Sequence, residues 1–164
     1  PLGCFLISEK SIGFDGMLNF YEGRDAVSDL EFEASLKEQL NWNPQLAAPY
    51  VVDADKELID RIGKDDMIRG VTISANGFYG PQGRVLRIGL ADPAINDKIE
   101  AFRFKHYKIT NYEMEGSAIA GLSKMMGHKA MTVCCVIANR RVEAANTNYQ
   151  PYIEELIQKV LDRI

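Results

Sequence analysis

The sequence predicts an α/β layer structure, with helices packed on a central sheet. Short β-branched, apolar runs alternate along the chain with segments whose apolar residues recur every three or four positions. No repeat, low-complexity tract or linker interrupts this alternation. Residues 131–138, Met-Thr-Val-Cys-Cys-Val-Ile-Ala, form the continuous apolar run of a strand buried on both faces. A length of 164 residues suits one compact domain.

Taken in order, residues 4–8 read as a strand and Gly13-Phe14-Asp15-Gly16 as a turn. The apolar patch at residues 17–21 fits either a strand or an active-site loop. A helix follows over residues 29–40, with Phe32, Leu36 and Leu40 on one face. Pro44 and Pro49 bound the connection to a short Tyr50-Val51-Val52 strand. Asp53 or Asp55 can cap the next helix, which carries Leu58, Ile59 and Ile62 and ends at Gly63. Residues 67–76 form the strand that feeds a glycine-rich loop. Asp92-Pro93 is an N-cap and first-turn signature for a helix whose Ile95, Ile99, Phe102 and His106 share a face, which leaves His106 partly buried. Thr110-x-x-Glu113 reads as a capping box, and beyond it Glu115, Ile119, Leu122 and Met126 form an inward stripe on an amphipathic helix. His128 lies in an exposed turn, and a closing helix from Pro151 carries Ile153, Ile157, Val160 and Ile164.

Composition narrows the function. Its 46% hydrophobic and 26% charged residues describe a globular chain rather than a disordered one. A net charge of −4, with basic residues scattered, argues against nonspecific nucleic-acid binding. No CxxC pair, His cluster, secretory segment or membrane span stands out, so metal binding, export and a membrane role lack support. Cys134 and Cys135 point to opposite faces of one strand and cannot pair with each other, which fits reduced thiols and a cytoplasmic address.

Three motifs carry chemistry. Phe78-Tyr79-Gly80-Pro81-Gln82-Gly83-Arg84 sets an aromatic face, a primary amide and a guanidinium in one loop, which is equipment for a planar, amide-bearing ring such as uracil. Glu113-Met114-Glu115-Gly116 places a carboxylate at the start of a helix, where the macrodipole favours an anion and where Glu115 can accept from ligand hydroxyls. The 131–138 run ends in Asn139-Arg140, at the strand end where open α/β sheets collect ligands.

Together, Phe78-x-x-x-Gln82-x-Arg84, Asn111-Tyr112-Glu113-Met114-Glu115 and a strand ending Asn139-Arg140 resemble the uridine phosphorylase branch of the nucleoside phosphorylase superfamily, from about residue 7 to the C-terminus. The resemblance implies a phosphorylase-type three-layer αβα fold with a mixed, partly barrel-like central sheet. It makes residues 1–164 the C-terminal part of a single nucleoside phosphorylase domain. It implies phosphorolysis of uridine to uracil and ribose 1-phosphate in pyrimidine nucleoside salvage and catabolism, with inorganic phosphate as co-substrate and no cofactor or metal. Carried over by position, Phe78 stacks on the base, Gln82 and Arg84 read the uracil edge and act catalytically, and Arg140 supports the uracil carbonyl. Met114 lies against the sugar, Glu115 accepts from the ribose hydroxyls, and Glu113 is a ribose-side neighbour. Family members carry a phosphate-binding glycine, arginines and threonine in an N-terminal half, and no Gly-rich phosphate loop or arginine cluster precedes Phe78 here. The chain is therefore expected to be a fragment, active only with an N-terminal polypeptide, in a homo-oligomer that is a dimer or a hexamer of dimers. Two rivals remain open: a purine-type nucleosidase or phosphorylase, disfavoured by Gln82, Arg84 and the neutral Asn139, and a noncatalytic nucleoside-binding protein.

Overall fold

The computed structural model describes residues 2–139 and 144–164. Among these, the main sheet holds β1 (Phe5–Gly13), β2 (Tyr50–Asp53), β3 (Met67–Ser74), β4 (Ile109–Glu113) and β5 (Val133–Cys135). The helices are α1 (Leu30–Leu40), α2 (Lys56–Ile62), α3 (Ile95–Ala101), α4 (Gly116–Met125) and α5 (Gln150–Leu161). Strands β1, β3 and β4 run parallel, in that spatial order. The other edge of β1 is shared by two antiparallel strands, β5 opposite residues 5–7 and β2 opposite residues 10–13. The sheet is therefore mixed, with helices on both faces.

A register shift between Ser8 and Lys10 leaves Glu9 without a partner on β3. Because side chains alternate strictly along a strand, this bulge moves the inward positions from odd to even. Phe5 and Ile7 before it and Ile12 after it all reach cores on one face. Lys10 falls on that face too and is only 5% exposed. It stands over the rings of Phe32 and Tyr107 and donates to Asp29 at 2.8 Å and to Asp53. Burial acts to lower its pKa, but the two carboxylates outweigh burial and the net shift is upward. For Asp29 burial acts upward, and the bonds from Lys10 and from the Phe32 amide leave its carboxyl below the ordinary range.

On that face Phe32, Leu36 and Leu40 of α1 and Ile99 of α3 pack on Ile12, Val51, Val71 and Ile73. Ile59 of α2 and Leu156 of α5 pack beside them on Phe5, Ile7 and Met67. Each fully buried Leu or Ile contributes about 1.5–3 kcal/mol. On the opposite face Ala120 of α4 meets Leu18, Tyr50 and Val52. Ser8, Thr72 and Asn111 form a polar row across β1, β3 and β4, with 2.6 Å between the hydroxyls of Ser8 and Thr72 and 2.9 Å from Thr72 to Asn111. Burial, reinforced by the Glu113 charge, pushes the Cys134 thiol up to about 11.

Several expectations are corrected. Of the stripe Glu115, Ile119, Leu122, Met126 only Leu122 packs inward: Glu115 is exposed, and Ile119 and Met126 are 57% and 65% exposed. The buried face of α4 is Gly116, Ser117, Ala120 and Gly121. The helix lies so close that a Cβ on Gly121 would stand 2.5 Å from Leu18, so only small residues fit between. Residues 109–113 are a strand, and the Thr110 hydroxyl donates to the Val71 carbonyl rather than capping a helix. Helix α3 ends at Ala101, which puts His106 outside it and in solvent against Tyr107. Its N-cap residue is Ala94, with Asp92 accepting from the Ala94 amide. Residues 17–20 make a 3-10 turn. The 131–138 run is not one fully buried strand, since β5 is three half-buried residues at an edge and β6 (Ala138–Asn139) follows, paired with β7 (Ala144–Ala145). On α5 it is Leu156 and Val160 that reach the core, while Ile157 and Ile164 are exposed. The Asp55 cap and strands β2 and β3 follow the sequence reading, and Asp29, at the start of the expected helix, is the N-cap of α1.

Candidate functional site

Gly13, Ser74 and Glu113 end β1, β3 and β4 side by side in register. The loops after these parallel strands therefore open at one edge, where α/β sheets bind ligands. Two motifs occupy two of these loops: Phe78 to Arg84 follows β3, and Met114-Glu115 follows β4.

The β4 side is built from inside. One carboxylate oxygen of Glu113 accepts from the Ser74 hydroxyl. The other accepts from the amides of Glu115 at 2.8 Å and Gly116 at 2.7 Å. Glu113 thus supplies the cap that Glu115, at the N-cap position of α4, does not make with its own side chain. The Ser74 oxygen accepts in turn from the Ser117 amide at 2.7 Å, and the Ser117 hydroxyl lies 2.9 Å from the Tyr50 phenol. Burial is the main reason the Tyr50 phenol titrates well above its ordinary value. Met114 and Glu115 are left projecting outward, and the Glu115 carboxylate makes no hydrogen bond among the described residues. An outward carboxylate at a helix start is stabilised by the macrodipole and can accept from two neighbouring hydroxyls.

The β3 side is more open. Residues Gly80–Gln82 form a 3-10 turn closed by Gly83 at φ 71°. Gln82 is 3% exposed, and its backbone carbonyl accepts from the Asn96 amide at 3.3 Å. The Asn96 carbonyl accepts from the Tyr112 phenol at 2.9 Å, which ties the loop through α3 to β4. Phe78 is 50% exposed. The Arg84 guanidinium stacks 3.5 Å from its ring centroid and donates to the Phe78 carbonyl at 3.2 Å. Tyr79 meets Phe78 edge-on at 5.3 Å. Beside them lies a hollow of about 680 Å³, lined by Tyr79, Arg84, Leu86, Arg87, Ile88 and Leu90.

Phe78, Gln82 and Arg84 are therefore in one loop, at the same sheet edge as Glu113, Met114 and Glu115. Asn139 is placed otherwise. Because β5 is antiparallel to β1, its end lies at the start of β1, where the Val136 amide donates to the Cys4 carbonyl at 2.9 Å. Asn139 follows in the β6–β7 hairpin, and Arg140 lies outside the described residues. Sequence reasoning missed Ser74, Ser117, Tyr50, Asn96 and Tyr112. Ser74, a hydroxyl closing a buried strand, carried the one available signal. Among the described residues no group of three His, Cys, Asp or Glu is placed to hold a metal ion, and no helix is long and apolar enough to cross a membrane.

Comparison with known proteins gives the family and the fold. The family model for the phosphorylase superfamily matches residues 1–163. Uridine phosphorylase A of Schistosoma mansoni is 40% identical over 76 residues, covering 45% of this chain and 25% of that protein. Inactive uridine phosphorylase B of the same organism is 35% identical over 78 residues, covering 47% and 26%. In fold, the chain is similar to the crystal structure of Trypanosoma brucei nucleoside phosphorylase, described as showing uridine phosphorylase activity, with TM-score 0.87 at 24% identity over 99% of this chain and 58% of that one. It is also similar to uridine phosphorylase from Schistosoma mansoni in complex with thymine, at TM-score 0.56 and 22% identity over 99% and 55%. The chain thus spans little more than half of these structures and a quarter of the curated relatives. With the family model matched along nearly its whole length, the chain belongs to the phosphorylase superfamily.

Proposed function

We propose that the chain is the nucleoside-binding, C-terminal part of a uridine phosphorylase, which converts uridine and inorganic phosphate to uracil and ribose 1-phosphate. The observation that carries this reading is the meeting of two motifs at one sheet edge, the Phe78–Gln82–Arg84 loop after β3 and Met114-Glu115 after β4. A base on Phe78 and a ribose on Glu115 then belong to one molecule. The curated relatives named as uridine phosphorylases support the same substrate class.

In the proposed step a phosphate oxygen bonds to the anomeric carbon of ribose as the bond from that carbon to uracil N1 breaks. The bonding pair leaves with uracil, whose carbonyl oxygens take up the negative charge. Arg84 and Gln82 donate to those oxygens, and donors aimed at charge that grows in the transition state raise the rate rather than merely the affinity. Met114 covers the sugar, and Glu115 orders its hydroxyls. Phosphate is bound by residues outside this chain, and no cofactor takes part. The test is release of uracil by the complete protein from uridine with and without phosphate, beside inosine and adenosine. Phosphate-dependent cleavage of uridine with both purine nucleosides spared supports the reading, and efficient purine cleavage overturns it.

A second reading, nucleoside binding without turnover, is favoured by the 35% identity to a relative named inactive. Uridine binding with no uracil released in phosphate would select it.

A further inference from the structure

The hydrogen bonds of Glu113 exceed what a helix cap needs. A cap ends with the two amides of Glu115 and Gly116, whereas here a chain of three further links runs on from the carboxylate into the protein. Glu113 holds β4 to α4, Ser74 holds β3 to β4, the Ser117 amide holds α4 to β3, and Tyr50 holds β2 to α4. Ser74, Ser117 and Tyr50 are all buried, with exposures of 1%, 0% and 0%. Close approach by Tyr50 is possible only because residue 13 lacks a side chain, since a Cβ on Gly13 would stand 2.2 Å from the Tyr50 ring. Between Glu113 and Gly116 only the side chains of Met114 and Glu115 are left outside this network, and they are the ones that face solvent.

We infer that Glu113 is a positioning residue that aims the Met114-Glu115 turn from inside, with Ser74, Ser117 and Tyr50 as its buried anchor. Both Glu113 oxygens are occupied by three protein donors, so its effect on a sugar passes through Glu115. An anion is required at 113 because each oxygen must accept, one from a hydroxyl and the other from two amides, whereas an amide would turn an N–H₂ toward one of these groups. The inference rests on the proposed ribose contact at Glu115 and adds what makes that contact selective.

The test is a double-mutant cycle read as ligand preference. Dissociation constants for uridine and 2′-deoxyuridine are measured by calorimetry on the complete protein and on its Glu115→Gln, Glu113→Gln, Ser74→Ala and Glu113→Gln/Glu115→Gln variants. The complete protein should prefer uridine by about tenfold, the worth of one hydrogen bond. Glu115→Gln and Glu113→Gln should each erase that preference, Ser74→Ala should reduce it, and the double variant should be no worse than Glu115→Gln alone. Penalties that add in the double variant, or an intact preference in Glu113→Gln, overturn the positioning role while the ribose reading stands. A complete protein with no preference for uridine overturns the ribose reading and the inference with it. Thermal midpoints accompany every variant, and if Glu113→Gln does not fold, Tyr50→Phe and Ser74→Ala replace it in the same cycle with the same criteria.

Discussion

Around Glu113 the protein places its polar groups in the interior and pairs them, whereas Phe78, Tyr79, Val85, Leu86 and Ile88 of the neighbouring loop stand exposed. The first region draws its shape from four elements of the fold. The second draws it mainly from local contacts: Arg84 lies on Phe78 and Gly83 turns the chain, and Asn96 ties the loop to the sheet through Tyr112. On the proposed reading, the difference says where binding energy would go. A ribose would meet a carboxylate already aimed, while a base would meet a loop held mainly by its own contacts, so that more of its ordering is drawn from the energy of binding.

The largest expected contrast is in hydrogen exchange. Amides of Gly116 and Ser117, held by Glu113 and Ser74, should open only with the core, and those of Val85, Leu86 and Gly89 should exchange almost freely. Because core opening costs most of the folding free energy, the ratio should be on the order of a thousandfold or more. Similar rates in both regions would remove the distinction. Next comes turnover. Arg84→Ala should slow phosphate-dependent uridine cleavage about a hundredfold, near 3 kcal/mol, at an unchanged thermal midpoint. Gln82→Ala should slow it as much and also melt earlier, because Gln82 is buried. Near-normal turnover in both variants would take this loop out of the chemistry.

Two glycines carry the same contrast into stability. Gly13→Ala drives a methyl group into the Tyr50 ring and should cost about 1–3 kcal/mol. Gly89→Ala, in the exposed loop with nothing within 4 Å of the added carbon, should fall within about 0.5 kcal/mol of the parent. Paired denaturant midpoints check both, and equal losses would mean that Tyr50 yields.

The readable parts of the sequence were those where one residue type settles one local structure. Asp55 announces its helix as a cap, and Val51-Val52 and Val71-Thr72-Ile73 announce buried strands. The second half of β1 was hidden because the bulge at Glu9 reverses the alternation and places a lysine on the core face. Strand β4, Ile-Thr-Asn-Tyr-Glu, was hidden because only Ile109 and Tyr112 pack on the core, while Thr110, Asn111 and Glu113 serve hydrogen bonds to β3. The phase of α4 was misjudged because close packing selects Gly and Ala for contact and turns Ile119 and Met126 out, against the rule that large apolar residues mark the buried face. Residues 78–84 and 113–115 were recognised by side-chain chemistry. Their dependence on Ser74, Ser117 and Asn96 is a matter of sheet register, which side-chain types alone do not specify.

The smallest expected effect is on pH dependence, and it separates the framework from the open loop. Asp29 caps α1 and holds Lys10 of β1, which also reaches Asp53 of β2, the strand that carries Tyr50. Burial alone would raise the Asp29 carboxyl, but Lys10 and the Phe32 amide outweigh it and the folded value lies below the ordinary one. A carboxyl depressed on folding contributes stability that is fully present above its unfolded pKa, about 3.9, and is lost as pH falls through the lower folded value. Wild-type urea midpoints should therefore hold near pH 6 and decline below about pH 4, where the unfolded chain binds the proton first. Asp29→Asn keeps a competent cap, so its helix should persist. The variant should start lower at neutral pH, because Lys10 keeps only Asp53, and should show a shallower decline on the acid side. Curves that run parallel from pH 6 to pH 3 would show that Asp29 titrates alike in the folded and unfolded chain, and the Lys10 pair would then lose its place in the framework beneath Tyr50.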